Sequence, residues 1–164
     1  MGALDSLVRD TLVDGLAGGV FAAALSALYR APSRYRLGSF VCGVAGRVAY
    51  GLLVASGMTH NGATVVAAGA VVLVAMGVKP DHAGSPVVLV AGVIPLGASV
   101  AMFQAIYGIM TLGTLKGQAL AEAGVTLLAN ACRVFTTSLG IAIGLGLGMA
   151  VVRLAQRRGT WAEG

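Results

Sequence analysis

Five apolar stretches leave this chain few places to fold other than a membrane. They run from about Leu12 to Leu28, Leu37 to Ser56, Ala63 to Val78, Pro86 to Thr111 and Ala123 to Val152. A helix needs ~20 predominantly apolar residues to cross the hydrocarbon core. The third stretch is short and has to stand nearly upright, whereas the fifth is long and has to tilt or protrude. Membrane strands alternate polar and apolar residues, and these runs are apolar on every face, so a barrel is excluded. The predicted fold is all-α: a polytopic membrane protein of about five transmembrane helices, the fourth broken at Pro95. It forms one transmembrane domain over residues 1–164, with no Pro/Ser-rich linker and no attached polar domain.

Composition agrees with this reading. Hydrophobic residues are 57% of the 164 positions and charged residues 10%, whereas soluble domains carry ~25% charged residues. A soluble domain of this size has too little interior for so many apolar side chains. The formal charge of +5 would suggest nucleic acid in a soluble protein. Here the basic residues cluster in the loops, so membrane orientation explains them and no nucleic-acid partner is expected. Cys42 and Cys132 lie inside apolar segments and read as small buried hydrophobes, not a disulfide or metal pair. The first apolar run has Asp5, Asp10 and Asp14 before or within it and lacks a basic leading region, so it does not read as a removed signal peptide.

The loops set the orientation. Arg30, Arg34 and Arg36 follow the first helix, Lys79 follows the third, and Arg153, Arg157 and Arg158 fill the tail; the opposite side holds Arg9 and Lys116. Basic loops stay cytoplasmic, which places the N-terminus outside, the C-terminus inside, and argues against dual topology. The expected location is a bacterial inner membrane, with lipid as the surrounding partner.

Glycines recur at helical spacing. Gly140, Gly144 and Gly148 form two overlapping G-x-x-x-G units, and Gly15 and Gly19 continue through Ala23 and Ala27. Small residues four apart share a face and let backbones approach. They serve either packing within the chain or contact with a second subunit.

No nucleotide loop, zincin motif, Cys/His metal cluster or acid pair is present, so no catalytic residue, metal or cofactor is expected, and the chain does not read as an enzyme. The informative features are polar groups at membrane depth. Arg47 stands about ten residues into the second helix, ~15 Å deep, where an arginine costs ~2.5–3.5 kcal/mol or more. Gly43 and Gly51, one turn either side, leave space around it for an anionic ligand or a partner's carboxylate; alternatively it binds helix carbonyls or a fixed counter-charge. Arg133 stands at a similar depth in the fifth helix, in a stripe with Thr126, Asn130 and Thr137 that has to point inward or form interhelical hydrogen bonds. In Gly92-Val93-Ile94-Pro95-Leu96-Gly97 the proline removes a donor and crowds the preceding turn, so a kink or break is expected near mid-depth. Broken backbone is tolerated there only in protein or along a cavity, and such breaks form transporter binding sites. No acidic residue is obviously placed to neutralise Arg47 or Arg133, which implies negative charge from a solute or a second subunit. Gln104 and Tyr107 either line an exit path or pack, and His60 and His82 read as solvated loop residues.

These residues carry a resemblance. An arginine-rich loop leads into Gly43-x-x-Gly46-Arg47. Then come Ala55-Ser56-Gly57, Ser85-Pro86-Val87, Val93-Ile94-Pro95-Leu96 and Thr126-Leu127-Leu128-Ala129-Asn130, followed by a glycine-rich helix. Over roughly residues 10–155 the chain resembles the small membrane subunit of the threonine/serine exporter family, which is similar to the C-terminal half of the fused exporters. The resemblance implies a split transporter that pairs with a larger membrane subunit and exports threonine, serine or a dicarboxylate such as succinate. The family usually carries a Pro-Gly soon after Ile-Pro-Leu; this chain has Ala98-Ser99, so a less sharp break is expected.

The expected function is therefore half of a secondary exporter for a small anionic or zwitterionic solute, with a larger subunit or a second copy as partner. Arg47, Gly92, Pro95, Gly97, Asn130, Arg133 and Thr137 are the expected substrate-binding residues. The alternative is a membrane scaffold that transports nothing.

Overall fold

The computed structural model describes residues 2–78, 86–97 and 99–159, with side chains over 9–77, 86–97 and 101–156. The expectations placed on Lys79, Asp81, His82, Ser85 and Ala98, and on the side chains of Arg157 and Arg158, lie outside the described residues. The protein is all-α. Its helices are α1 (Gly2–Leu28), α2 (Ser33–Ala55), α3 (His60–Val78), α4 (Pro86–Val93), a 3-10 turn at Ile94–Leu96, α5 (Ser99–Leu112) and α6 (Gln118–Gly159). Among the described residues, four helices are long and apolar enough to span a membrane, or five spans if α4, the turn and α5 count as one broken span.

Several helices start earlier than their apolar stretches predict. The chain becomes helical at Ser33, not Leu37, and at His60, not Ala63, which gives α3 19 residues and removes its expected shortness. The fifth expected helix is α6, 42 residues long. Hydropathy marks the part of a helix that lipid surrounds, whereas backbone hydrogen bonding continues into the polar flanks.

Two helix ends explain the short connections. At the end of α1, Arg30 takes a left-handed φ of 54°, its N–H donates to Ala27 and the N–H of Ala31 donates to Ser26. At the end of α2, Gly57 takes φ 90°, its N–H donates to Val54 and that of Met58 donates to Leu53. Both are Schellman caps, which satisfy the last carbonyls while reversing the chain. Pro32, with φ −51° and ψ 144°, then starts α2 from an extended residue.

The chain divides into two compact units. The first comprises residues 1–96 with 140–164 and holds the core. Cys42, Ala67, Ala68, Val71, Val88 and Leu96 are buried in one cluster. Small residues bring the helices close. A Cβ on Gly43 would lie 2.7 Å from the carbonyl oxygen of Gly18, and one on Gly19 would lie 2.5 Å from Val44. Gly15 accepts Val48 in the same way. Along α3, Gly140 lies against Val65, Gly144 against the Val65 carbonyl and Ala68, and Gly148 against Val72 and the Gly69 carbonyl. All these glycine faces serve packing within the chain. Phe21, Leu16, Val20 and Leu37 remain exposed, as a surface solvated by lipid requires.

The second unit comprises residues 97–139: α5, a turn in which Gly117 has φ 62°, and the start of α6. Gly108 of α5 meets Leu127 of α6. Met102, Phe103, Tyr107 and Phe135 are exposed.

Candidate functional site

Hydroxyl groups within the spans are mostly satisfied by their own helix. Ser39 donates to Tyr35 at 3.1 Å, Thr64 to His60 at 2.8 Å and Thr126 to Glu122 at 3.0 Å, each to a carbonyl one turn back. This arrangement removes the lipid penalty without a neighbouring helix. Among the described residues, two side-chain hydrogen bonds that join neighbouring helices belong to one cluster.

Arg47 Nη2 donates to Asp14 Oδ2 at 3.2 Å, joining α2 to α1 as an ion pair. The expectation that no acid neutralises Arg47 is thus corrected. Asp14 is the sixth residue of the apolar span Arg9–Leu28, toward its N-terminal end, where the sequence places it. The guanidinium carbon stands 5.9 Å from the Tyr50 ring centroid, within cation–π range. Tyr50 Oη and His60 Nδ1 share a hydrogen bond of 2.9 Å. Asp14, Arg47, Tyr50 and His60 therefore form a polar chain that leads to the α2–α3 connection. His60 opens α3 and is bonded, where a free loop histidine is expected.

Three features place Arg47. Its stem packs directly on Gly18 of α1, where any Cβ would collide with Arg47 Cγ. Gly43 and Gly51, expected to leave open volume, are instead filled by the α1 backbone and by Thr11, which would lie 3.0 Å from a Cβ at Gly51. Arg47 stands fourteen residues after Ser33, past the middle of α2 and not ten residues in. The Arg47 and Asp14 side chains are nevertheless 29% and 66% exposed. A guanidinium has five N–H donors, and the carboxylate takes a single contact, so acceptor oxygens from elsewhere can still be accommodated.

The break lies at the same level of α2. A Cβ on Gly92 would lie 2.6 Å from Cys42 Cβ, and Leu96 reaches Gly46, the residue before Arg47. Successive helical residues point ~100° apart, so the Ile94–Leu96 turn and Arg47 occupy different faces. Gly92 and Leu96 are buried and Pro95 half-buried. Gly97, Asn130, Arg133 and Thr137 belong to the second unit. Within it Thr137 is buried, Asn130 and Gly97 half-buried, and Thr126 and Arg133 exposed. The inward stripe is thus only partly realised. Among the described residues Arg133 has no ion pair. Gln104 and Tyr107 are exposed. Cys42 is buried, but Cys132 is exposed, against the expectation that both are buried. Gly18, not singled out in the sequence, is what brings Arg47 onto α1; its signal is the Gly18-Gly19 doublet on the small-residue face.

Spans of this length and hydropathy, a span broken at proline and an ion pair inside the helices define a multi-pass helical membrane protein. Comparison with protein-family models, with curated proteins and with solved structures finds no match.

Proposed function

We propose that this protein is the small membrane subunit of a secondary exporter, moving a carboxylate-bearing solute such as threonine, serine or succinate across a bacterial inner membrane. The reading rests most on the Asp14–Arg47 pair. Charged residues in spans are expensive and mark solute or ion pathways, and this arginine keeps donors beyond the one contact to Asp14. A solute carboxylate can bind the remaining N–H groups. The break after Val93 supports the same reading, because its freed backbone groups offer polar contacts at depth. The resemblance of the Arg47 and Ile94-Pro95-Leu96 segments to the threonine/serine exporters names the solute class. The basic loops of the sequence support a cytoplasmic C-terminus, and in this reading a larger subunit of the same family supplies the other half.

A scaffold that transports nothing is the second reading, favoured by the filled glycine contacts around Arg47. Efflux of labelled threonine, serine and succinate from cells expressing both subunits separates the two. Arg47→Ala is expected to reduce efflux at least ten-fold while the complex still co-purifies. Unchanged efflux per assembled complex would assign Arg47 to architecture and remove the transport site from this chain.

A further inference from the structure

A second feature lies far along the first unit from Asp14 and Arg47. The neighbouring surfaces of α3, α4 and α6 form a partly open cavity of about 200 Å³ lined by Val72, Met76, Leu89, Met149 and Val152. Arg153 and Gln156 close one end. Met149, Val152, Arg153 and Gln156 are spaced i, i+3, i+4 and i+7, so one face of α6 passes from apolar to cationic. From Met149 to Gln156 this covers ~10 Å of axis. The change falls where the apolar stretch of the sequence ends at Val152, the level at which acyl chains give way to headgroups in this reading.

The geometry points to a binding site for an anionic phospholipid: one acyl chain lies in the cavity and the phosphate rests on Arg153. The observations favour this ligand over a transported solute. Apart from Arg153 and Gln156, the cavity walls offer a polar solute no contact. An apolar slot with a cation at headgroup depth matches an amphiphile carrying negative charge at one end, and basic pockets between spans bind lipid headgroups in this way. Among the described residues Arg153 has no ion pair, so its charge is available to a phosphate.

The test uses the intact protein, delipidated in detergent and then given phosphatidylglycerol or phosphatidylcholine, with retained lipid counted by native mass spectrometry. The wild type is expected to retain phosphatidylglycerol in preference. Arg153→Gln should lower that retention roughly five-fold, and Arg153→Lys should keep most of it. Met149→Trp, which fills the cavity from a partly exposed position, should lower retention of both lipids. Arg34→Gln removes a charge that does not line the cavity and should leave retention unchanged. Equal retention of the two lipids by the wild type would overturn the proposal. So would an equal loss in Arg34→Gln and Arg153→Gln, which would signal general attraction to the surface. Displacement of the lipid by inorganic phosphate alone would reassign the site to a free anion. Should Met149→Trp fail to fold, the two Arg153 variants decide the matter.

Discussion

At the scale of single residues, the informative group is an arginine whose partner is distant in sequence. Asp14 and Arg47 are 33 positions apart, and their meeting depends on the relative phase of α1 and α2. Hydropathy gives neither quantity, so the polar nature of the site was legible in the sequence and its internal pairing was not. The glycines were legible as small but not as filled, because only the crossing shows that Gly18 seats Arg47 and that Thr11 occupies the space at Gly51. The pair is expected to stabilise the α1–α2 contact. Removing one member leaves an uncompensated charge among apolar helices, whereas removing both does not. In a double-mutant cycle with Asp14→Asn and Arg47→Gln, followed by thermal unfolding in detergent, a coupling of roughly 1 kcal/mol or more is expected. A coupling near zero would mean that solvent already screens the pair, as it does for exposed ion pairs.

At the scale of elements, the packing of α6 on α3 is decided by which glycines face backbone. Gly144 abuts the Val65 carbonyl, a neighbour that cannot turn aside, and Gly148 lies 3.1 Å from the Gly69 carbonyl by the same measure. Gly146, between them, has nothing within 4 Å. Gly144→Ala is therefore expected to destabilise the protein by ~1–3 kcal/mol, since overpacking has to move a helix. Gly146→Ala should be neutral, or stabilising by up to ~1 kcal/mol from reduced backbone entropy in the unfolded chain. Thermal melts of the two variants check the contrast, and equal effects would deny that the seam is specific. The G-x-x-x-G spacing announced this seam in the sequence. Its surroundings, in particular which glycine meets a carbonyl, required the helices to be placed. Helix ends were the least legible elements, because Ser33, His60 and Gln118 are polar residues that continue helices beyond the apolar runs.

At the scale of the whole molecule, the broken span decides how many times the chain crosses the bilayer. Pro86–Leu96 with Ala101–Leu112 either crosses or returns to the side it left. Charge favours crossing. With five crossings Arg30, Arg34, Arg36, Lys79, Arg153, Arg157 and Arg158 share one side, opposite Arg9 and Lys116. With four, the tail arginines join Arg9 and the bias nearly vanishes, which the positive-inside rule disfavours. Two cysteine positions read this directly in a background carrying Cys42→Ala and Cys132→Ala. Ser33→Cys, at the start of α2, should react with a membrane-impermeant maleimide only after the cytoplasmic side is opened. Thr114→Cys, in the turn between α5 and α6, should react in intact cells. Protection of both positions until the membrane is opened would mean that the broken segment returns to the cytoplasmic side and that α6 is the fourth crossing. The C-terminal arginines would then face outward, and the lipid bound near Arg153 would belong to the outer leaflet.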